Sequence, residues 1–197
     1  MEEISIEDVL TFWFGTTGED RTETWFKANP AFDHACQAHF ADALRTLGRG
    51  IYNGWATSPR GALAWVILAD QVSRNVHRGT ADAFALDSSA RAVAKQAIAR
   101  GDDRDLAPLE RVFLYLPLEH SESLADQDEC VRLFADLIEA FPEASRERGR
   151  EYLMHAEQHR ELIRRFGRFP HRNAALGRRS TPEELAYLEA EAQRFGQ

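Results

Sequence analysis

Four segments of this chain gather the side chains that chemistry uses. Residues 116–123, LPLEHSES, set Glu119, His120, Ser121 and Glu122 directly after Pro117. A histidine beside carboxylates suits general acid–base work, because a nearby negative charge moves the imidazole's proton affinity through the neutral range. Residues 154–160, MHAEQHR, place His155 and His159 one helical turn apart, a spacing that can clamp a transition metal. Glu157 points to another face of that helix, so the zincin pattern is not met, and no metal or other cofactor is expected. Residues 69–79, ADQVSRNVHRG, carry Asp70, Arg74, Asn75 and Arg78. Residues 166–178, FGRFPHRNAALGR, carry Arg168, His171, Arg172, Asn173 and Arg178 beside Phe166, Phe169 and Leu176. Two glycines and a proline forbid a continuous helix in this last segment, which predicts a rigid loop pinned by its apolar residues.

Arginine presents a planar fork that fits carboxylate or phosphate. The candidate ligand-binding set is therefore Asp70, Arg74, Asn75, Arg78, Arg168, His171, Arg172, Asn173 and Arg178. The candidate acid–base set is His120, Glu122 and His159. Two functions compete on these residues. One is a binding module for an anionic small molecule or peptide carboxylate. The other is a hydrolase or transferase acting on an anionic substrate. A third, a scaffold for other proteins, would show itself by Trp13, Trp25 or Trp55 exposed on a concave face. Structural readings stand beside these. Asp70 and Arg74 are spaced to pair along a helix, and Ser121 or Ser123 can cap the next one. Nine acids in 101–130 face two arginines there, while 158–179 holds seven arginines against Glu161 alone, so the two stretches can neutralise each other.

The elements that must position these groups are helical. A chain of 197 residues with 44% hydrophobic content can bury a core, and residues 1–197 are expected to form a single domain. Ser5, Asn29-Pro30, Ser58-Pro59 and Thr181-Pro182 are N-cap signals, and apolar residues recur between them at helical spacing. About eight helices are predicted, at 5–14, 30–47, 59–75, 80–100, 107–117, 122–141, 144–166 and 181–195. Pro117 is read as interrupting the fifth. Arg74-Asn75 before Gly79 and Arg172-Asn173 before Gly177 echo each other as helix stop, glycine turn and restart.

The net charge of -8 argues against a nucleic-acid partner. The longest apolar stretch, 63–69, is too short to span a membrane, and the first ten residues lack the basic flank and apolar run of a secretory signal. Cys36 and Cys130, without metal or redox spacing, fit reduced thiols in the cytoplasm.

The stretches VLTFWFG, ILADQVSRNVHRGTADAFALD, ERVFLYLPLEHSESLADQ and FGRFPHRNAALGRRSTPEE, in this order, resemble a bacterial family, domain-of-unknown-function family 924. The resemblance spans nearly the whole chain. It implies an all-α fold of antiparallel helix pairs, a tetratricopeptide-like helical array, and it names no activity. Val72 and Ser73 stand where the family pattern usually has Phe and Pro.

Overall fold

Side-chain caps start several of the helices. In the computed structural model, which describes residues 4–16, 21–27 and 29–190, α1 (Ile6–Phe14) opens on a reciprocal cap. The Asp8 N–H donates to Ser5 Oγ at 3.1 Å and the Ser5 N–H donates to Asp8 Oδ2 at 2.8 Å. A short α2 (Thr22–Phe26), absent from the predicted set, precedes α3 (Pro30–Leu47). Asn29 caps α3, and its face of Phe32, Cys36, Phe40, Ala43, Leu44 and Leu47 is buried.

Ser58 caps α4 (Pro59–Val66), which is apolar all round from Ala62 onward and runs through the middle of the core. Its helical path continues as a π-helical turn, Ile67–Val72, and ends in α5 (Ser73–Val76). The Ser73 N–H closes the widened turn on the Leu68 carbonyl. A proline at 73, as in the family pattern, has no N–H to make that bond. Such π turns are rare and concentrate at functional sites.

The single helix predicted over 80–100 is broken. Ala81–Phe84 form a 3-10 turn, and α6 (Asp87–Arg100) begins only after Leu86. The break turns Phe84 and Asp87 towards Arg74. Pro117 is not the stop that the sequence predicts. It lies inside α7 (Pro108–Glu119), wholly buried, and the helix runs two residues beyond it. A proline removes one backbone donor and leaves the helix standing where packing on all sides holds it.

Next come α8 (Leu124–Leu137), with a 3-10 extension at Ile138–Ala140, and α9 (Arg146–Phe166). Gly167, at φ +70°, ends α9 in the left-handed region that glycine enters without penalty. The arginine loop follows, with a 3-10 turn at Pro170–Arg172, and leads into α10 (Pro182–Ala190). Residues 191–195 of the predicted last helix lie outside the described residues.

The architecture is all-α, with no strand among the described residues. Neighbouring helices pack in sequence, α6 on α7, α7 on α8 and α8 on α9, while α4 touches α1, α6 and α7. One continuous core runs from Val9 to Ala156, and a smaller cluster of Leu162, Ile163, Phe169 and Tyr187 seats the arginine loop and α10. No helix among the described residues is long and apolar enough to cross a membrane.

The start of α4 leaves no room for a side chain at Gly61. An added Cβ would press on the Trp55 carbonyl, 2.9 Å from its carbon, and on Ser58 Oγ at 2.7 Å. Gly61→Ala is expected to destabilise the protein by about 3 kcal/mol in urea unfolding, because backbone cannot yield as a flexible side chain would. An unchanged midpoint would show that this approach is not a constraint.

Candidate functional site

Two Arg-Asn units face each other across Asp87. In the first, Arg74 is buried and grips Asp87 with both terminal nitrogens, at 2.9 and 3.2 Å, while Nη1 also donates to the carbonyls of Asp70 and Ala83. Asn75 Oδ1 accepts from Arg78 Nη2, and Arg78 grips Asp33 of α3 at 2.8 Å through each arm. In the second, Arg172 Nη1 donates to Asp87 Oδ2 at 3.3 Å and to the His120 carbonyl at 3.0 Å. Asn173 Oδ1 accepts from Arg178 Nε, and Arg178 grips Glu122 at 2.7 and 2.9 Å. The Phe84 ring lies under both central guanidiniums, 5.5 Å from Arg74 and 4.8 Å from Arg172. The echo in the sequence is thus a pair of like-built ties meeting at one carboxylate.

Inside this frame sits a histidine–carboxylate centre. The π turn carries Asp70, which is fully buried and lies 2.8 and 2.9 Å from His120 Nδ1 through its two oxygens. Gln71 Nε2 donates to the same carboxylate at 2.6 Å. Burial raises the proton affinity of Asp70, but the Arg74 charge, the His120 contact and the Gln71 bond outweigh it and hold the group ionised. An ionised carboxylate only accepts, so His120 Nδ1 carries the hydrogen and Nε2 keeps its lone pair. Nε2 makes no hydrogen bond among the described residues. Burial, and then the Arg74 and Arg172 charges against the pull of Asp70, leave His120 below its usual pKa and neutral at pH 7.

Glu119, the last residue of α7, is buried, and its carboxyl makes no hydrogen bond among the described residues; His159 Nδ1 approaches it at 3.2 Å. Burial and the nearby Asp70 charge push its pKa up to about 8, so it holds a proton near neutrality. The negative end of the α7 dipole acts in the same direction. His159 Nδ1 donates to the His155 carbonyl at 2.9 Å, and burial pushes both His159 and His171 down to about 3. The rings of His120 and His159 are 6.4 Å apart, and Phe169 lies 5.5 Å from each of His159 and His171. Gln127 locks the corner from below, its Nε2 donating to the carbonyls of Glu119 and Ser121 at 2.6 and 2.7 Å.

Residues 9–192 match the family described as "Bacterial protein of unknown function (DUF924)". The chain belongs to that family. A solved structure from Agrobacterium tumefaciens, titled as a protein of unknown function ATU0120, is similar at 39% identity with a TM-score of 0.80, over 93% of this chain and 96% of that one. No curated protein matches the chain.

For this family member the structure brings Asp70, Arg74, His120, His159, His171 and Arg172 into one shell. Asn75, Glu122, Asn173 and Arg178 form the supporting layer around it. Two of the predicted binding residues are held elsewhere. Arg78 is paired with Asp33, and Arg168 grips Glu184 of α10 at 2.6 and 2.8 Å. Glu122, expected in an acid–base role, accepts from Arg178 and from the Phe169 N–H at 2.8 Å. Burial alone would raise its pKa, but these bonds hold it low, so it has no proton to move near pH 7. Its neighbour Glu119 is the carboxyl with an available proton. Asp87 escapes a sequence reading because it falls inside a predicted helix. Glu119 is legible there only as one of two acids flanking His120. His155 is exposed and turned away from the shell, and no group of three or more His, Cys, Asp or Glu among the described residues is placed to hold a metal ion.

A groove of about 250 Å³ lined by Phe14, Trp25, Leu109, Glu110 and Arg148 opens at the other end of α7. Ten residues of helix separate Leu109 from Glu119, about 15 Å, so the groove is not part of the histidine centre. Glu110 is already bound to the Ala107 N–H and Arg60.

Glu119 gives the protein a stability that depends on pH in a stated direction. A carboxyl whose pKa rises from 4.5 to about 8 on folding contributes fully at low pH and loses that contribution as pH climbs through 8. Glu119→Gln, which keeps the shape and removes the charge, should match the parent near pH 4.5. It should exceed the parent by a few kcal/mol above pH 8, since each tenfold change in proton affinity is worth about 1.4 kcal/mol. Urea titrations at the two pH values check this; a difference that does not grow with pH would show that Glu119 ionises normally.

Proposed function

We propose that the protein is an acid–base enzyme, a hydrolase or transferase working on a small anionic substrate, with His120 as the base. One observation carries this reading. A buried, ionised Asp70 holds Nδ1 of His120 with both oxygens within 2.9 Å and so leaves Nε2 basic. The His120 side chain is 15% exposed, enough to meet solvent at the edge of an otherwise buried cluster.

In this reading the nucleophile that Nε2 serves comes from outside the chain. Ser121 Oγ donates to Asp126 at 2.7 Å and accepts from Arg91 and the Ser123 N–H. Cys36 is pushed up to about 12 and Cys130 well above its ordinary value by burial, so neither supplies a thiolate. Water or a substrate hydroxyl remains. Nε2 takes its proton as the oxygen bonds to the electrophilic centre, and the imidazolium returns that proton to the departing group. In this reading Arg172, which borders His120 through its backbone carbonyl, offsets the negative charge that develops on the reacting group.

Binding without turnover is the second reading, and the arginine ties speak to it. Arg74, Arg78, Arg168 and Arg178 are matched to carboxylates of the chain itself, which leaves few positive groups for a ligand. The scaffold reading loses its anchors, since Trp13 and Trp25 are buried and Trp55 packs on Tyr52. The charge of -8 and the buried thiols fit a cytoplasmic enzyme with no nucleic-acid partner.

A panel of p-nitrophenyl carboxylate esters and phosphates tests the acid–base reading. Turnover should rise with pH through an inflection below 6.5, as His120 loses its proton. It should fall about 100-fold or more in His120→Gln. Asp70→Asn should lower the inflection further, because the Asp70 charge is what lifts His120's proton affinity. Equal rates in His120→Gln and the parent, or no turnover by the parent on any ester, would defeat the reading.

A further inference from the structure

Three arginines of this chain show how it grips a carboxylate from the side. Arg60 holds Glu7 through Nε and Nη2 at 3.0 and 2.8 Å, Arg78 holds Asp33 and Arg168 holds Glu184 through the same two nitrogens. Arg172 is built differently. Both of its hydrogen bonds, to the His120 carbonyl and to Asp87, leave from Nη1. Its Nε, like those of Arg74, Arg146 and Arg160, is buried without a partner, and among the described residues its Nη2 makes no hydrogen bond either, whereas Arg74 Nη2 is bound to Asp87. The side chain is only 6% exposed. An unmatched N–H on a buried guanidinium is costly, roughly 1–3 kcal/mol, and Arg172 leaves the whole Nε/Nη2 edge in that state.

The unmatched edge is also held rigidly. Phe169 and Phe84 lie against the guanidinium at 4.5 and 4.8 Å, and the Nη1 bonds fix its rotation. Nη1 lies 3.0 Å from the His120 carbonyl, and Phe169, which packs on the guanidinium, also packs on His159 and His171, so Arg172 borders the shell of those three residues. A fork whose plane and direction are set beforehand binds with little loss of freedom.

We propose that the Nε/Nη2 edge of Arg172 receives the carboxylate of a monocarboxylic organic substrate beside His120. The word substrate rests on the reading of His120 as base; the carboxylate site itself does not. A carboxylate matches the two parallel N–H bonds of the edge. Charge favours a monoanion. Asp70, Asp87 and Glu122 already balance Arg74, Arg178 and Arg172, so the cluster holds no surplus positive charge for a dianionic phosphate.

Arginine Nε–H signals in ¹H–¹⁵N spectra of the full chain test this with acetate, benzoate and inorganic phosphate as probes. One signal, absent from Arg172→Lys, should move downfield and saturate with benzoate. Arg172→Lys should bind benzoate at least about tenfold more weakly, because lysine keeps the charge and loses the fork. If that variant does not fold, through-bond correlation to the Arg172 backbone assigns the signal in the parent protein. His120→Gln should titrate as the parent does. Binding in both proteins without ester turnover in the parent would defeat the base and leave the fork standing. Ester turnover with an unmoved Nε–H signal would overturn the fork and leave the base. Phosphate binding tighter than benzoate would overturn the monocarboxylate class.

Discussion

The carboxylate of Asp87 is the contact on which the rest of the arrangement depends. It stands at the first turn of α6 and receives Arg74 from α5 and Arg172 from the loop after α9. Two buried guanidiniums cannot lie under one phenylalanine ring without an anion between them, since their mutual repulsion in a poorly solvated place is large. Asp87 supplies that anion. It thereby fixes the π turn on one side and the arginine loop on the other, and the Asp70–His120 contact lies between the two.

The same constraint explains how the backbone is shaped around the cluster. The π turn adds a residue to one helical turn, which brings Asp70 beside His120 while Arg74 reaches Asp87 four residues on. The break before α6 brings Phe84 and Asp87 to the same place. Gln127 closes the end of α7 by donating to its last carbonyls, which lets Glu119 and His120 sit at a helix terminus without water on every carbonyl. The π turn and the break before α6 thus fall beside the charged cluster, whereas α1 and α3 are regular and contribute their faces to the apolar core.

Protonation follows from placement rather than from residue type. Glu119 and Glu122 are three positions apart, yet one holds a proton at neutral pH and the other does not. Glu122 has a guanidinium and a backbone N–H on its oxygens; Glu119 has a buried pocket and a negative neighbour. His120 differs from His159 and His171 in the same way, because the ionised Asp70 carboxylate lies at hydrogen-bond distance from its Nδ1. An environment that separates the proton affinities of like groups is what acid–base chemistry requires.

By itself the sequence determined the helical class, most helix starts and the four segments that meet at the cluster. Those properties are local: a cap reads three residues ahead, and an apolar face repeats within two turns. Tertiary structure alone decided which arginines are satisfied, which glutamate keeps its proton and which histidine meets an ionised carboxylate. The partners of these groups lie far off in the chain, 50 residues for His120 and Asp70, 56 for Arg178 and Glu122, and 85 for Arg172 and Asp87. Pairing over such separations depends on how whole helices pack, and so do the burial and local dielectric that set each proton's affinity.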